Sequence, residues 1–421
     1  MKLIEQRTIK NSRVNVPGSK SISHRMIIMA SLCQGESTIS NVLNSQDILL
    51  TISCLENMGA RIVQSENKEK SPSMVKVTGF NGQPARYPRE IYLGNSGTSM
   101  RLLAGIAALG TSDYVLTGDN RMCQRPMTPL IDALTMANVA VSSKSGTPPV
   151  IINGKHKRGG KIKIDLSLSS QYLSSLLITG CYMAEGLEIT ITADAVSQPY
   201  IDLTIAIMKL FNVYVEKTEK GQYIVRPGQK YQPGNFIVEP DISNAGYFWA
   251  AGAICRKKIK VLNVYKNSIQ GDIKFVHILK QMGCDLMFEH DGIAVCGRKL
   301  RGVDVDMSDT PDAVPALAVT AAFASGCTLI KNIGHLREKE CDRIEAVARE
   351  LARMDIKVES GHDWIKIFGG KPRGAVIETY NDHRIAMAFS LAGLVTDNVF
   401  IKNENCVAKS FPTFWEVLQG L

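Results

Sequence analysis

Apolar stretches long enough for helices alternate along this chain with short segments in which apolar and polar residues take turns, and the alternation repeats. The repeat is sharpest where a helix-like segment ends in a turn and a strand-like segment begins. One copy runs Leu-Glu-Asn-Met-Gly-Ala-Arg-Ile-Val from Leu55; others start at Leu134, Met208, Leu279 and Leu351. Their turn residues are Gly59, Asn138, Asn212, Gly283 and Asp355, types that tolerate the left-handed conformation that closes helices. Successive turns are 79, 74, 71 and 72 residues apart. Phe414 to Leu421 reads as a worn remnant of a sixth copy. A period of about 70 residues is longer than the usual solenoid repeats. It suits a strand–helix–strand–helix–strand–strand module used several times.

Other helices open on small or polar residues. Residues 17–21, 94–99, 167–171 and 381–384 precede the apolar runs Met26 to Leu32, Met100 to Ala108, Tyr172 to Ile178 and Ile385 to Leu394. Ser, Thr, Asn and Asp cap helix starts. Such starts present unpaired N–H groups and a positive dipole end, which suit phosphate. Residues 229–235, which hold Pro233 and Gly234, fall after three modules and mark the expected boundary between two domains of like architecture.

The formal net charge is +9, from 49 Lys and Arg against 40 Asp and Glu. That balance suits nucleic acid, an acidic membrane surface or small anionic substrates. Aromatics are 6% of the chain, are not interleaved with basic residues, and accompany no basic tail, which argues against a nucleic-acid partner. No apolar run approaches the ~20 residues of a membrane span. Residues 1–10 lack the apolar core of a secretory signal. The expectation is a cytoplasmic protein with no membrane partner. Ten cysteines are scattered without a Cys-x-x-Cys pair or zinc-type spacing to a histidine, so reduced thiols and no metal site are expected.

Several strings carry candidate chemistry, and each also has a plain structural reading. Val16-Pro-Gly-Ser-Lys-Ser-Ile-Ser-His-Arg25 is a capped helix start but not a phosphate-binding loop of the Gly-x-x-x-x-Gly-Lys type. A lysine at a helix N-terminus opposes the dipole unless an anion sits there. Leu93-Gly-Asn-Ser-Gly-Thr-Ser-Met-Arg101 is a Gly-rich turn into a helix, equally suited to tight packing. Arg121-Met-Cys-Gln-Arg-Pro126 is a surface loop or an anion clamp of two arginines. Ser169, Ser170, Gln171, Ser197 and Tyr200 supply neutral hydrogen-bonding groups. Asp312 is a helix N-cap or a general base. Arg337-Glu-Lys-Glu-Cys-Asp-Arg343 is a salt-bridged exposed helix face or a substrate-facing turn. Asn381-Asp-His-Arg384 and Ala408-Lys-Ser-Phe-Pro412 place cations at the mouths of apolar segments.

Together, and in this order over essentially the whole chain, these strings resemble the 5-enolpyruvylshikimate-3-phosphate synthase family of enolpyruvyl transferases. The resemblance implies an α/β fold of two similar domains, each with three modules, helices inside and sheets outside (an inverse α/β barrel). It also implies that the chain crosses between domains twice. Residues 1–17 with 235–421 would form one domain, binding mainly the phosphoenolpyruvate carboxylate. Residues 18–234 would form the other, binding mainly shikimate 3-phosphate, with a cleft that closes on the substrates. The reaction implied is transfer of enolpyruvyl from phosphoenolpyruvate to the 5-hydroxyl of shikimate 3-phosphate, by a monomer without metal or cofactor. By position, Lys20, Gly97, Arg125, Gln171 and Lys409 would hold the phosphate of phosphoenolpyruvate, with Asn95 beside them. Arg343 and Arg384 would fork onto its carboxylate. Ser21, Arg25, Ser169, Ser170, Ser197, Tyr200, Asp312 and Lys339 would hold shikimate 3-phosphate. Asp312 would be the base for the 5-hydroxyl, and Glu340 with Lys20 the acid for the methylene carbon.

Two positions depart from the family pattern. His335 stands where well-known bacterial members have Asn at a substrate contact, and would add pH dependence near neutrality. Leu102 stands where glyphosate-sensitive members usually have Pro, which leaves that sensitivity open. The alternative substrate assignment is that of the sister UDP-N-acetylglucosamine enolpyruvyltransferases, which have the same fold and chemistry. Those carry a catalytic Cys five residues before the Arg of the Arg-Pro loop. Here that position is Asn120, and Cys123 lies only two residues before Arg125.

Overall fold

The computed structural model describes residues 1–65, 73–84, 90–193, 195–219 and 221–421. The fold is mixed α/β and divides into two compact units, Gly18–Val238 and Met1–Pro17 with Glu239–Leu421. In the first unit the α-helices are α1 (Lys20–Leu32), α2 (Gln46–Asn57), α3 (Gly97–Ala107), α4 (Thr128–Met136), α5 (Gln171–Gly180) and α6 (Gln198–Leu210). In the second they are α7 (Ile242–Cys255), α8 (Lys274–Gln281), α9 (Val314–Ala322), α10 (Arg343–Arg353), α11 (His383–Gly393) and α12 (Phe414–Gln419).

The two kinds of helix differ in burial. Helices α3, α5, α9 and α11 are buried on every side, and α1 and α7 nearly so. Helices α2, α4, α6, α8 and α10 bury one stripe only. Hydroxyls on the fully buried helices are satisfied by carbonyls one turn back, as Ser31 to Ile27 (2.9 Å), Thr179 to Ser175 (2.9 Å) and Thr320 to Ala316 (2.8 Å). Helices α3 and α5 approach closely at Gly105, where an added Cβ would lie 2.6 Å from Ser175 Oγ. The Gly105 N–H donates to that oxygen instead.

Among the described residues, five of six sheets share one pattern, a parallel pair followed by two antiparallel additions. Strand Ile91–Tyr92, for example, runs parallel to Tyr114–Thr117 with α3 between them in sequence, and Val150–Asn153 and Ala140–Ser142 follow antiparallel. The five repeated turn residues all have positive φ, as their types foretold. The sixth sheet has three strands, Val376–Ile377, Val399–Ile401 and Lys2–Ile4. After Val399–Ile401 the chain forms a 3₁₀ turn and the short α12, and no further strand follows among the described residues, as a worn copy should.

The first strands of the two units are exchanged. Ser12–Val14 leads into α1, yet pairs in parallel with Lys258–Leu262, the strand after α7. Asn235–Ile237 leads into α7, yet pairs in parallel with Glu36–Val42, the strand after α1. The segment around residue 235, expected to open the second domain, therefore still belongs to the sheet of the first, and the passage falls between Val238 and Glu239.

Alternation along Ser12–Val14 sets which side chains the exchange buries. Val14 is 4% exposed, whereas Arg13 is on the open face in an ion pair with Asp291. Val14→Asp places an unpaired carboxylate in the core and should cost about 3 kcal/mol. Arg13→Gln should cost no more than about 0.5 kcal/mol. Urea unfolding of both variants measures the contrast, and equal losses would contradict the register.

Candidate active site

In the unit of residues 18–238 the cationic side chains gather at helix starts. Lys20 is the first residue of α1, and its ammonium is 3.1 Å from the buried carboxylate of Asp47, in the first turn of α2. A cation at a helix N-terminus is disfavoured by the dipole, and the adjacent carboxylate offsets that cost. Arg25, one turn on, is fully buried. Its Nε donates to Thr204 Oγ1 (2.7 Å), and its terminal nitrogens to the Ser21 carbonyl (3.0 Å), Ser174 Oγ (3.3 Å) and the Tyr200 carbonyl (3.4 Å). Burial pushes the Arg25 guanidinium down to about 10, so it stays charged at neutral pH.

Helix α3 begins at Gly97, capped by Ser96. A Cβ at Gly97 would meet Arg125 Nη2 at 2.6 Å and Arg101 Nη1 at 2.7 Å. The absence of a side chain is what lets two guanidiniums crowd the start of that helix. Arg125 donates to the Asn95 side-chain oxygen (3.2 Å). Arg101 donates to Gln171 Oε1 (3.2 Å), and the Gln171 amide donates to Thr98 Oγ1 (3.0 Å). Ser169 accepts from the Gln171 backbone N–H (3.2 Å), Ser170 is buried just before α5, and Ser197 takes a left-handed conformation just before α6. Ser99 links this group to the first through the Asp47 carbonyl (3.4 Å). Lys20, with Asp47 beside it, is thus joined at these helix starts by Arg25, Arg101 and Arg125, a gathering of cations that attracts polyanions. Cys123 is half-buried in the adjoining loop, its thiol 3.6 Å from the Gly118 carbonyl.

The unit containing residues 239–421 holds a second cluster with a different balance. Arg343, the first residue of α10, is 1% exposed. Its guanidinium meets Asp382 (2.7 Å), Glu340 (2.8 Å) and Asp312 (3.0 Å). Arg384, in the first turn of α11, meets the other oxygen of Asp312 (2.6 Å). Lys409 meets the other oxygen of Glu340 (3.2 Å). Asp382 caps α11 by accepting from the Arg384 backbone N–H (2.8 Å). Burial alone would raise Asp312, but Arg384, Arg343 and Lys339 outweigh it and hold that carboxyl well below the usual range. With Lys339 included, four cations surround three carboxylates.

Several expectations change here. Asp312 lies in a 3₁₀ turn, Pro311–Ala313, and its side chain pairs with two arginines instead of capping a helix. The charged string 337–343 is a 3₁₀ turn followed by a helix start, not an exposed helix face. Within it Arg337 pairs with Asp342, which caps α10. His335 is buried. Among the described residues its Nε2 has no hydrogen-bond partner, and burial reinforced by Lys339 pushes its pKa down to about 3. It is neutral near pH 7, so the expected titration near neutrality does not occur.

Asp47, Thr98, Arg101 and Asp382 belong to these clusters, although the sequence assigns none of them a role; all but Asp47 lie within the strings singled out above. Asp47 is disguised as an ordinary acidic residue in a helix's first turn, and Asp382 as an ordinary cap. Arg101 follows the Gly-rich turn by one helical turn, the signal that could have found it. No group of three or more His, Cys, Asp or Glu side chains able to hold a metal occurs among the described residues.

Buried helix starts loaded with arginine, lysine and carboxylate define an α/β protein whose clusters suit small, multiply charged anions. The model of the family "EPSP synthase (3-phosphoshikimate 1-carboxyvinyltransferase)" matches residues 4–418. A 3-phosphoshikimate 1-carboxyvinyltransferase of Klebsiella pneumoniae is 41% identical over 411 residues, 96% of this chain and 95% of that one. Its counterpart in Shewanella amazonensis is 41% identical over 417 residues, 98% of this chain and 96% of that one. A solved EPSP synthase of Acinetobacter baumannii superposes with a TM-score of 0.81 at 32% identity, covering 99% of this chain and 97% of that one. The chain belongs to the EPSP synthase family.

The buried His335 makes a prediction about stability. Its ring charges readily once unfolded but only near pH 3 when folded, so the unfolded state binds the extra proton between those values. The stability contributed is full above pH about 6.5 and is lost as pH falls towards about 3. His335→Asn should therefore shrink the loss of urea stability between pH 7 and pH 4 and leave the rate profile near neutrality unchanged. An unaltered pH dependence of unfolding would show that the folded ring takes up its proton as readily as the unfolded one.

Proposed function

We propose that this protein transfers the enolpyruvyl group of phosphoenolpyruvate to the 5-hydroxyl of shikimate 3-phosphate, releasing phosphate, on the shikimate route to aromatic amino acids. The family match over residues 4–418 carries the proposal. The two clusters support it, because both substrates are anions and the named side chains are chiefly cations. Lys20, Gly97, Arg125, Gln171 and Lys409 hold the phosphate of phosphoenolpyruvate, with Asn95 steadying Arg125. Arg343 and Arg384 hold its carboxylate. Ser21, Arg25, Ser169, Ser170, Ser197, Tyr200, Asp312 and Lys339 hold shikimate 3-phosphate, near His335. On this reading each unit is an inverse α/β barrel, and the unit of residues 18–238 binds mainly shikimate 3-phosphate. The protein works as a cytoplasmic monomer. No described helix is long and apolar enough to cross a membrane.

The reaction needs a proton at the methylene carbon of phosphoenolpyruvate and loss of one from the 5-hydroxyl. The hydroxyl oxygen adds to the neighbouring carbon, giving a tetrahedral intermediate. Loss of phosphate and of a methyl proton restores the double bond. Asp312, ionised at neutral pH, accepts the hydroxyl proton. Its arginines make it a weak base, so proton transfer is coupled to carbon–oxygen bond formation. Glu340 with Lys20 supplies the methylene proton. A substrate carboxylate competes with Asp312 and Glu340 for the guanidiniums of Arg343 and Arg384. Drawing those cations away favours protonation of Glu340 and strengthens Asp312 as a base. The remaining cations stabilise charge that develops on the departing phosphate. No cofactor enters this scheme.

The nucleotide-sugar alternative has less support, because Asn120 occupies the position of that family's catalytic thiol. Phosphate release from phosphoenolpyruvate, assayed separately with shikimate 3-phosphate and with UDP-N-acetylglucosamine, tests the substrate. Release only with the nucleotide sugar would overturn the assignment. Asp312→Asn and Glu340→Gln should each lower kcat by about 10²–10⁴-fold with substrate binding retained. Near-normal turnover in either removes that residue from the mechanism. Gly97→Ala should raise KM for phosphoenolpyruvate severalfold by pushing Arg125 and Arg101 aside. Its unfolding free energy from urea titration should fall by no more than about 1 kcal/mol, because the displaced groups are the ends of flexible side chains. An unchanged KM would show that the phosphate does not reach the α3 start.

A further inference from the structure

We infer that Glu350, two turns into α10, is a positioning residue for the Arg343–Arg384 pair, acting through a clamp on the turn that precedes Arg384. The inference rests on the reading that those arginines hold the substrate carboxylate. Glu350 has no solvent exposure. One of its oxygens accepts from the Tyr380 hydroxyl at 2.6 Å, and the other from the Glu378 backbone N–H at 3.0 Å. Arg353, mostly exposed, stands 3.3 Å from it. Burying a carboxylate is costly unless its oxygens are matched by donors. Two of the donors here come from a single stretch of chain, residues 378–380.

That stretch has an unusual backbone. Tyr380 and Asn381 are consecutive left-handed residues, with φ of +53° and +55°. Asn tolerates the conformation, but a bulky aromatic residue adopts it only where its surroundings hold it there. The grip of Glu350 on the Glu378 N–H and on the Tyr380 hydroxyl supplies such a hold on the approach to the bend and at its first residue. The residue after the bend is Asp382, which is fully buried, caps α11, accepts from the Arg384 N–H and receives Arg343. The bend therefore sets the direction in which α11 begins and the place from which Arg384 extends.

Helical geometry explains why one helix does this. Arg343 and Glu350 are seven residues apart, close to two full turns, and so lie on one face of α10. That face grips the segment 378–384 at two points. Arg343 holds Asp382, and Glu350 holds residues 378 and 380. With both points made, the two guanidiniums are fixed relative to each other, as a fork on one carboxylate requires. With the second point broken, Tyr380 is free to leave the left-handed region, and Arg384 shifts with the turn. Among the described residues Glu350 makes no hydrogen bond or ion pair to a candidate substrate-binding side chain, so its effect reaches the site through this turn.

The test uses the full chain with Tyr380→Phe, Glu350→Gln and, as a control on the underlying reading, Arg384→Lys. KM is measured for each substrate at saturating levels of the other, alongside urea unfolding. The clamp predicts that Tyr380→Phe and Glu350→Gln raise KM for phosphoenolpyruvate about tenfold, while KM for shikimate 3-phosphate stays within about twofold. Tyr380→Phe keeps the buried carboxylate and two of its partners, so it serves if Glu350→Gln does not fold. Lower urea stability with both KM values unchanged would mean a purely structural role and would overturn the inference. An equal rise in both KM values would also overturn it. If Arg384→Lys raises KM for phosphoenolpyruvate and the clamp variants do not, the clamp alone is wrong. If Arg384→Lys leaves that KM unchanged, the carboxylate reading fails and the clamp with it.

Discussion

A guanidinium sealed from solvent must be surrounded by acceptors, and Arg343 is surrounded by three carboxylates from three parts of the chain. Asp312 comes from the turn before α9, Glu340 from the turn before α10, and Asp382 from the start of α11. Burying that charge without all three would cost several kcal/mol. The ends of three helices are thereby tied to one planar group. Arg384 and Lys409 then attach to the outer oxygens of the same carboxylates. On the proposed function, a substrate carboxylate that engages the arginines would enter this exchange of partners, and binding and acid–base chemistry would draw on the same contacts.

The first cluster rests on a different balance. Lys20 has Asp47, but Arg25, Arg101 and Arg125 are held largely by neutral oxygens of Thr204, Gln171 and Asn95. Neutral partners fix a guanidinium's position without cancelling its charge, so this unit keeps an attractive field for phosphate. The contrast shows two charge arrangements built on one module: one concentrates positive charge, and the other pairs it with carboxylates.

The module makes both arrangements possible. Placing its first helix wholly inside the core forces that helix to be apolar along its length, and polar chemistry is pushed to its start. There the dipole and unpaired N–H groups favour anions. The exchange of the strands Ser12–Val14 and Asn235–Ile237 ties both chain passages into sheets by backbone hydrogen bonds. Each paired strand ends five or six residues before the helix that follows it, at Val14 before Lys20 and at Ile237 before Ile242.

The sequence by itself determined the repeat, its turn residues, the worn sixth copy and the strings at the helix starts. These depend on local rules: a left-handed turn selects Gly, Asn or Asp, a buried helix selects apolar residues, and a helix start selects small polar ones. The tertiary structure alone decided what each charge faces. Asp47 and Asp382 have the local signature of helix-start acids, and only folding sets them against Lys20 and Arg343. Asp312 looked equally like a cap, and His335 like a neutral-range titrating group, until burial and neighbouring cations assigned them otherwise. Glu350 sits on α10 as an unremarked acid of a charged helix, because its partners lie nearly thirty residues away. Charge pairing and desolvation act through space over a few ångströms, and sequence distance carries no information about them.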